Sequence, residues 1–347
     1  MSITILVPTY NRQKTLGRAI NSLLNQTYSD IIIRIIDNAS NDNTENYVNQ
    51  LLLLDNRVQY VRHETNIGVL RNYQFAIDSV DTEYFGFLAD DDELLNWVVS
   101  DIKFNLDKNK EVPCWGVLTL FVRDSNSKSI RSNALYWKKT RVYNSFEASL
   151  KIAKGGQPEF QGLFFRTKYI RDQNLRLDFD VNIVDIDFLF RLLFKSKIGI
   201  TAKIGSIMYQ SSNSISSSQR NLSLYWPSFQ IIEKKILENS NFTNLEIIKI
   251  ISLFRYNSLQ ILINLTLNTK NEDDLFSISK ILNFEYNEYV LARVTQFVIN
   301  TSFNINVKNH FLKMIFLMSI IVFSPDKIFA RFFHVYSLNV IKSLKTN

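Results

Sequence analysis

The sequence predicts an α/β fold in which a doubly wound, mostly parallel sheet precedes a mostly helical C-terminal region. In the first hundred residues, continuous apolar runs alternate with stretches whose apolar residues recur at helical spacing, and each run ends at a polar turn. After the serine-rich stretch "SSNSISSSQ" the composition changes, and the chain becomes rich in Ile, Leu and Phe. We therefore expect three regions, bounded at residues 1–105, 106–220 and 221–347.

The first region should contain four strands separated by helices. The strands are predicted from the apolar runs "ITILVPT", "IIIRII", "RVQYVR" and "EYFGFLA". Apolar spacing predicts a helix from Leu16 to Leu24, a second helix opened by a capping box of Asp42 and Glu45, and a third over "VLRNYQFAIDSV". A fourth helix is expected after the last strand, with one face formed by Leu94, Leu95, Val98, Val99 and Ile102. Strands and helices in this order favour a parallel sheet.

The second region has a mixed pattern, and the third is apolar and basic. Strand-like "WGVLTLFVR" and "LFFRT" flank the loop "AKGGQPEFQG", and the helical "DIDFLFRLLFKS" follows. The most apolar run, "HFLKMIFLMSIIVFS", carries Lys313 and is too short to span a bilayer as a helix. Residues 301–347 contain six Lys or Arg and one acidic residue, Asp326. This pattern suits attachment to an anionic membrane surface, plain helical packing or an oligomer interface.

Composition argues against several classes of function. The single cysteine, Cys114, excludes a disulfide framework, and three scattered histidines argue against zinc hydrolysis and a Ser-His-Asp triad. No Gly-rich phosphate motif is present, which argues against a dinucleotide fold and a P-loop. The net charge of +7 favours anionic ligands, but the basic residues are not gathered as in nucleic-acid-binding proteins. No signal peptide is visible, so we expect a cytoplasmic protein, peripheral on the inner membrane face if its tail binds lipid.

Polar residues follow the predicted strands at the points where the strands end. In a doubly wound sheet, ligands bind outside the carboxyl ends of the strands. An acidic cluster at that edge suits a hard divalent cation, Mg²⁺ or Mn²⁺, which would neutralise a diphosphate leaving group. The residues that should meet at this edge are Thr9, Asn11 and Arg12 after the first strand, Asp37 and Asn38 after the second, and Asp90, Asp91 and Asp92 after the fourth.

Each of these residues also has an ordinary structural interpretation. Asp92 could cap a helix starting at Glu93, and Asp37 could be a turn residue. Three consecutive carboxylates nevertheless exceed what one cap needs. Without a Gly-rich loop, phosphate must be bound by metal and arginine, and Arg71 is the candidate; its alternative is a solvated helix arginine.

Four blocks in order, "ILVPTYNR", "IIDNASNDNT", "NIGVLRNYQFAI" and "FLADDDELL", resemble the N-terminal half of a family 2 glycosyltransferase with the GT-A fold. The resemblance covers about the first hundred residues. It implies a nucleotide-diphosphate-sugar donor and inverting transfer. It also implies that Asp37 holds the nucleobase or ribose, Asp91 faces the sugar, and Asp90 and Asp92 hold the metal. The donor-binding residues so implied are Pro8, Thr9, Asn11, Arg12, Asp37, Asn38, Arg71, Asp90 and Asp91.

The acceptor half resembles the family more loosely. "VDIDFLFRLLF" is similar to a block in which an acidic pair precedes a helix ending in arginine, which puts the general base on Asp185. Val184 stands where the family usually has an acidic neighbour of the base. Asp187 is the fallback candidate for the base, and either Asp185 or Asp187 could instead cap the helix. "YQSSNSISS" resembles a block that often contributes a metal-bound histidine, but Ser212 stands there. Phosphate and water would then complete the metal shell.

The leading hypothesis is a glycosyltransferase that builds a bacterial surface polysaccharide, a lipopolysaccharide or a lipid-linked glycan. Its partners would be the nucleotide sugar and a glycan or lipid-linked oligosaccharide acceptor. A nucleotidyltransferase would also use a metal at a sheet edge, but the phosphate loop typical of that class is missing. A non-catalytic nucleotide-sugar binder or membrane scaffold is the alternative from another class, because Val184 and Ser212 depart from the family pattern.

Overall fold

The computed structural model of the chain describes residues 3–123, 128–210, 222–239 and 241–268. Ser212 and the C-terminal segment from His310 lie outside the described residues, so the predictions made for them stay predictions. The chain divides into two compact units, residues 1–220 with 224–254, and residues 221–223 with 255–347. Among the described residues, no helix has the length and apolar character needed to cross a membrane. The domain bounds expected at residues 105 and 220 also stay predictions.

The N-terminal part of the first unit alternates strands and helices as the sequence predicts. Its elements are β1 (Ile3–Thr9), α1 (Gln13–Leu24), β2 (Ile31–Asp37), α2 (Thr44–Leu54), β3 (Val58–Arg62), α3 (Val69–Asp78), β4 (Tyr84–Phe87), β5 (Glu93–Leu94) and α4 (Val98–Lys108). Strands β3, β2, β1 and β4 are neighbours in that order, and all three pairs are parallel. The expected α/β class is therefore confirmed.

The following part extends the same sheet with mixed pairing. Its elements are β6 (Cys114–Arg123), β7 (Lys128–Ser132), β8 (Arg141–Tyr143), α5 (Ser145–Ala153), a 3₁₀ turn (Phe160–Gly162), β9 (Leu163–Arg166), α6 (Thr167–Asp172), α7 (Val184–Leu193) and β10 (Ile198–Gln210). Helices α8 (Leu222–Leu237) and α9 (Asn244–Asn268) follow. Strand β9 joins β4 to β6 with antiparallel pairing on both sides, whereas β6 and β10 are parallel.

The central strands carry apolar side chains on both faces of the sheet, and helices cover both faces. Ile3, Ile5 and Val7 belong to the core formed with α1, α2 and α4. Leu6 points to the opposite face, as the two-residue period of a strand requires, and is also fully buried. On that side, the Asn72 amide of α3 donates to the Ile36 carbonyl oxygen at 3.1 Å. Burial on both faces explains why these strands read as continuous apolar runs.

Strand register brings the predicted polar residues to one edge. Thr9, the last residue of β1, lies opposite Asp37, the last residue of β2. Strand β4 ends where Phe87 lies opposite Leu6, and the Leu88 amide still donates to the Leu6 carbonyl at 3.0 Å. The three carboxylates that follow β4 therefore leave the sheet at the same edge as the ends of β1 and β2.

Two local predictions were wrong. The capping box of Asp42 and Glu45 does not form: α2 begins at Thr44, and the Asp42 carboxylate accepts from the amides of Thr44 (3.0 Å) and Gln13 (3.2 Å). The fourth helix does not start at Glu93, because Glu93 and Leu94 form a short strand antiparallel to β10. Helix α4 begins only at Val98. Asp92 is therefore not a helix N-cap.

Candidate active site

The acidic triplet of Asp90, Asp91 and Asp92 lies at the carboxyl edge of the sheet, between β4 and β5. Arg12, in the loop between β1 and α1, approaches Asp90, with 4.0 Å between Nε and Oδ1. Arg18 of α1 donates to the Asp91 carbonyl oxygen. The structure thus joins the residues after the first strand to those after the fourth, as the sequence predicts.

Asp92 has a buried carboxylate oxygen that finds no partner among the described residues. The residue is 1% exposed, and Oδ1 accepts from the Tyr209 amide at 2.9 Å, but Oδ2 has no hydrogen bond to any described residue. Burial, with the neighbouring charge of Asp91, raises the pKa of Asp92 to about 8. Burial also raises the pKa of Asp90 to about 7, against the opposing effect of Arg12. A buried carboxylate oxygen without a donor is unfavourable unless a proton or a cation binds it.

The triplet fits a divalent cation that takes only part of its ligands from the protein. Asp90 and Asp92 supply the hard oxygen ligands that Mg²⁺ and Mn²⁺ prefer, and Asp92 Oδ2 is available for one of them. Within the described ranges, no three acidic, histidine or cysteine side chains converge as a complete cage. Diphosphate oxygens and water would therefore complete the shell, which agrees with the way Mg²⁺ is usually bound.

We expect the cation to stabilise the protein more at high pH than at low pH. Because their folded pKa values are raised from about 4 to about 7 and about 8, Asp90 and Asp92 favour the folded state when protonated, and this contribution is lost progressively as pH rises from about 4 to about 8. At pH 8.5 a cation meets ionised ligands, whereas at pH 6 it must displace protons. Thermal unfolding with and without Mn²⁺ should thus show a larger rise in Tm at pH 8.5. An equal rise at both pH values would contradict this prediction.

Asp37 is present at the predicted edge but is saturated by protein donors. It is fully buried; Oδ1 accepts from the Ser40 amide (2.8 Å) and hydroxyl (2.6 Å), and Oδ2 accepts from the Tyr60 hydroxyl (2.6 Å). The Ser40 hydroxyl also accepts from the Asn11 amide at 2.9 Å, which ties the loop after β1 to the loop after β2. The observed contacts of Asp37 hold the loops after β1 and β2 in place, and its contact with the nucleobase or ribose stays a prediction.

The other predicted donor residues surround this loop pair. Pro8 and Thr9 are buried at the end of β1, and the Thr9 carbonyl accepts from the Asn38 amide at 2.9 Å. The Asn38 side chain accepts from the Ile67 amide at 2.9 Å and so holds the turn that starts α3. Arg71, in the first turn of α3, is exposed, with its guanidinium carbon 5.3 Å from the ring centre of Phe179. Its role at the donor phosphate stays a prediction.

The two candidate bases differ in their surroundings. Asp185 lies in the first turn of α7, and burial raises its pKa against the opposing effect of the Ile186 amide. Asp187 is fully buried and paired: Arg191 Nε lies 2.8 Å from Oδ2, and Lys235 Nζ lies 2.6 Å from Oδ1. Because both carboxylate oxygens of Asp187 are paired with the side chains of Arg191 and Lys235, the structure does not support Asp187 as the general base. Asp185 remains the candidate base.

Replacing Asp187 by Asn should destabilise the fold by about 3 kcal/mol, since it removes the shared partner of Arg191 and Lys235. Urea unfolding monitored by fluorescence measures this loss. The matched control is Asp172→Asn, which removes an exposed ion pair to Lys168 and should cost no more than about 1 kcal/mol. Equal stability of the two variants would show that the buried network contributes little.

Three residues of the site were not predicted. The Tyr209 amide holds Asp92, and the Arg18 guanidinium carbon lies 3.6 Å from the Tyr209 ring centre. Glu159 precedes the 3₁₀ turn, and its pKa is raised to about 8 by burial and by the charge of Asp185. A donor in the backbone of a distant strand leaves no signal in the sequence. The sequence placed Glu159 only within the loop "AKGGQPEFQG".

Comparison with known proteins places this site in a family. The model for glycosyl transferase family 2 matches residues 4–167. The GalNAc(5)-diNAcBac-PP-undecaprenol beta-1,3-glucosyltransferase of Campylobacter jejuni is 36% identical over 101 residues, 29% of this chain and 33% of that protein. An uncharacterised glycosyltransferase of Rickettsia felis is 26% identical over 248 residues, 68% of this chain and 40% of that protein. The chain thus spans about a third of the length of the Campylobacter relative.

Solved structures show the same fold. Residues 1–349 of S. aureus TarS in complex with UDP-GlcNAc align with a TM-score of 0.60 at 16% identity, over 88% of this chain and 92% of that one. The complex with UDP aligns with a TM-score of 0.62 at 17% identity, over 88% and 91%. At this identity the similarity concerns the fold alone. Residues 4–167, which include the acidic triplet at the sheet edge, therefore form a glycosyl transferase family 2 domain.

Proposed function

We propose that the chain transfers a sugar from a nucleoside-diphosphate-sugar donor to a hydroxyl group of a surface glycan or lipid-linked oligosaccharide, with inversion at the anomeric carbon. The observation that carries the proposal is the pair of Asp90 and Asp92 at the sheet edge, with a buried oxygen of Asp92 that has no donor in the part of the chain that the structure describes. The UDP-GlcNAc complex of a structural neighbour supports a UDP-sugar as the donor class.

Each residue then has a defined task. Asp90 and Asp92 would hold Mg²⁺ or Mn²⁺, which would supply positive charge to neutralise the donor diphosphate as a leaving group. Asp185 accepts the proton of the acceptor hydroxyl, whose oxygen attacks the anomeric carbon. The bond from that carbon to the diphosphate breaks, and its electron pair leaves with the nucleoside diphosphate. One displacement from the opposite side inverts the configuration.

The proposed acceptor class rests on the relatives. The Campylobacter protein is named for an acceptor on PP-undecaprenol, and a Staphylococcus epidermidis relative is named a teichoic acid poly(glycerol phosphate) polymerase. Both names concern extended surface polymers or lipid-linked precursors. We infer that the donor is used on the cytoplasmic side. Peripheral attachment through residues 301–347 stays a prediction for a segment outside the described residues.

The test is a panel of UDP-, GDP-, ADP- and dTDP-sugars, each with Mn²⁺ and a polyprenyl-diphosphate glycan acceptor. Release of the nucleoside diphosphate is measured together with the anomeric configuration of the product. The proposal is supported if one donor releases its nucleoside diphosphate only when the acceptor is present and the product has the inverted anomeric configuration. Tight donor binding with no release by any acceptor favours the non-catalytic nucleotide-sugar binder. A product of retained configuration would overturn the single-displacement mechanism.

A further inference from the structure

Helix α1 holds the segment that carries the acidic triplet from one side. Arg18 and Ser22 are four residues apart and share one face of α1, and Gln26 follows just beyond its end. The Leu94 amide donates to the Ser22 hydroxyl at 3.2 Å, and the Gln26 side chain donates to the Leu94 carbonyl at 3.2 Å. Arg18 extends this row of contacts to the triplet itself, because it donates to the Asp91 carbonyl.

Strand β10 holds the same segment from the other side. The Leu95 amide donates to the Gly205 carbonyl at 2.8 Å. Near the end of β10, the Tyr209 amide donates to Asp92 Oδ1 at 2.9 Å, and the Tyr209 hydroxyl donates to the Glu93 carboxylate at 3.1 Å. The triplet therefore lies between a face of α1 and the end of β10.

Arg18 connects these two sides directly. Its guanidinium carbon lies 3.6 Å from the centre of the Tyr209 ring, and its Nε lies 3.9 Å from the Glu93 oxygen that the Tyr209 hydroxyl also contacts. A guanidinium on an aromatic face combines a planar stack with a cation–π contact, and lysine does not replace arginine at such a site. Arg18 thus joins the Asp91 backbone to the residue whose amide binds Asp92.

We propose that Arg18 and Tyr209 form a clamp that holds the Asp92 carboxylate in the position where it binds the cation, with Arg18 as a positioning residue. The inference rests on the proposed function, because the cation site of Asp90 and Asp92 is part of it. Carboxylates that bind a metal are oriented by hydrogen bonds from outer residues, and the metal affinity depends on those bonds. The Tyr209 amide supplies such a bond, and the stacked Arg18 fixes the strand end that carries this amide.

The position of Arg18 can be tested separately from its charge. By charge alone, a guanidinium beside the triplet repels a divalent cation. Arg18→Lys keeps the positive charge and loses the planar stack on Tyr209. A loss of cation affinity in this variant therefore reports position. Tyr209→Leu tests the same contact from the other side, because it removes the ring and keeps the backbone amide that donates to Asp92.

Mn²⁺ binding to the full chain, without donor or acceptor, tests the clamp. Free Mn²⁺ is measured by its EPR signal in titrations at pH 8.5, and the binding that Asp92→Asn removes identifies the site. Arg18→Lys and Tyr209→Leu should each bind Mn²⁺ about ten- to a hundredfold more weakly than the wild type, as is usual when an outer partner of a metal ligand is lost. Tyr209→Phe keeps the ring and should stay closer to the wild type than Tyr209→Leu.

Arg141→Lys is the matched control. Arg141 also lies on a tyrosine, 4.1 Å from the centre of the Tyr143 ring, and it pairs with Glu147 at 2.6 Å. It belongs to β8, which pairs with the start of β10 and not with its end. Arg141→Lys should therefore bind Mn²⁺ as the wild type does. Wild-type Mn²⁺ affinity in Arg18→Lys would overturn the clamp.

A second measurement needs no cation. In ¹⁵N-correlated NMR spectra, the Tyr209 ring should shift the Arg18 Nε proton upfield, and Tyr209→Leu should abolish this shift. The signal is assigned by its loss in Arg18→Lys, and the same spectra show whether each variant is folded. If Arg18→Lys is not folded, Tyr209→Leu decides.

The two measurements separate the clamp from the cation site. An upfield Arg18 signal in a wild type that binds no Mn²⁺ would refute the cation site of the proposed function, and the role of the clamp with it. Mn²⁺ binding that is lost in Asp92→Asn but unchanged in Arg18→Lys and Tyr209→Leu would refute only the clamp.

Discussion

Replacement of Asp185 by Asn is expected to lower the rate of sugar transfer by about two to four orders of magnitude. Asn has the size and hydrogen-bonding reach of Asp but cannot accept a proton at neutral pH. The acceptor hydroxyl would then have to attack without a base. Donor binding should change little, because the triplet proposed to hold the diphosphate lies elsewhere, in the segment between β4 and β5. The measurements are kcat for transfer and the Kd of the donor by calorimetry.

The matched control is Asp180→Asn, an exposed residue of the loop that precedes α7. It makes the same chemical change five residues away and should retain the wild-type rate. If Asp185→Asn kept more than about a tenth of the wild-type rate, the base would have to be assigned elsewhere. Glu159, a half-buried carboxyl whose pKa is raised partly by the charge of Asp185, would then be the first residue to examine.

Replacement of Asp92 by Asn should remove the cation dependence of donor binding. A cation at a diphosphate contributes several kcal/mol of charge stabilisation, so transfer should fall about a thousandfold. The amide of Asn is a weaker ligand than a carboxylate. Its oxygen could keep the hydrogen bond from the Tyr209 amide, and the fold should therefore be retained. Donor affinity is measured with Mn²⁺, with Mg²⁺ and with EDTA.

Wild-type protein should lose donor affinity in EDTA and regain it when Mn²⁺ is added back. Asp92→Asn should bind the donor weakly and equally under all three conditions. Asp81→Asn is the control, because this carboxylate is mostly exposed and pairs with Arg34 away from the sheet edge. Donor binding by the wild type that ignores EDTA would refute the cation, whatever the variants do.

The order of the strands and helices was predictable because it is encoded locally. Runs such as residues 3–9 and 31–37 are apolar on both faces, and the helices between them repeat their apolar residues every three to four positions. The errors occurred where a contact with a distant part of the chain determines the local secondary structure. Apolar spacing favoured a helix from Glu93, but pairing with β10, more than a hundred residues later, makes it a strand.

The position of the triplet at the sheet edge follows from the sequence, because the carboxyl ends of parallel strands meet there. The sequence by itself therefore determined the fold class, the edge that carries the site and the candidate residues Asp90, Asp92 and Asp185. Only the tertiary structure separated Asp185 from Asp187, which Arg191 and Lys235 hold in a buried network.

The tertiary structure alone also left Asp92 Oδ2 buried without a donor among the described residues and brought the ring of Phe160 against Phe188 of α7. The physical reason is the range of the interactions. Periodicity and turn chemistry act between residues a few positions apart, so a sequence shows them directly. Burial, charge pairing and pKa depend on groups that meet only after the chain has folded. Lys235 and Asp187, for example, are 48 residues apart in the sequence and form an ion pair in the structure.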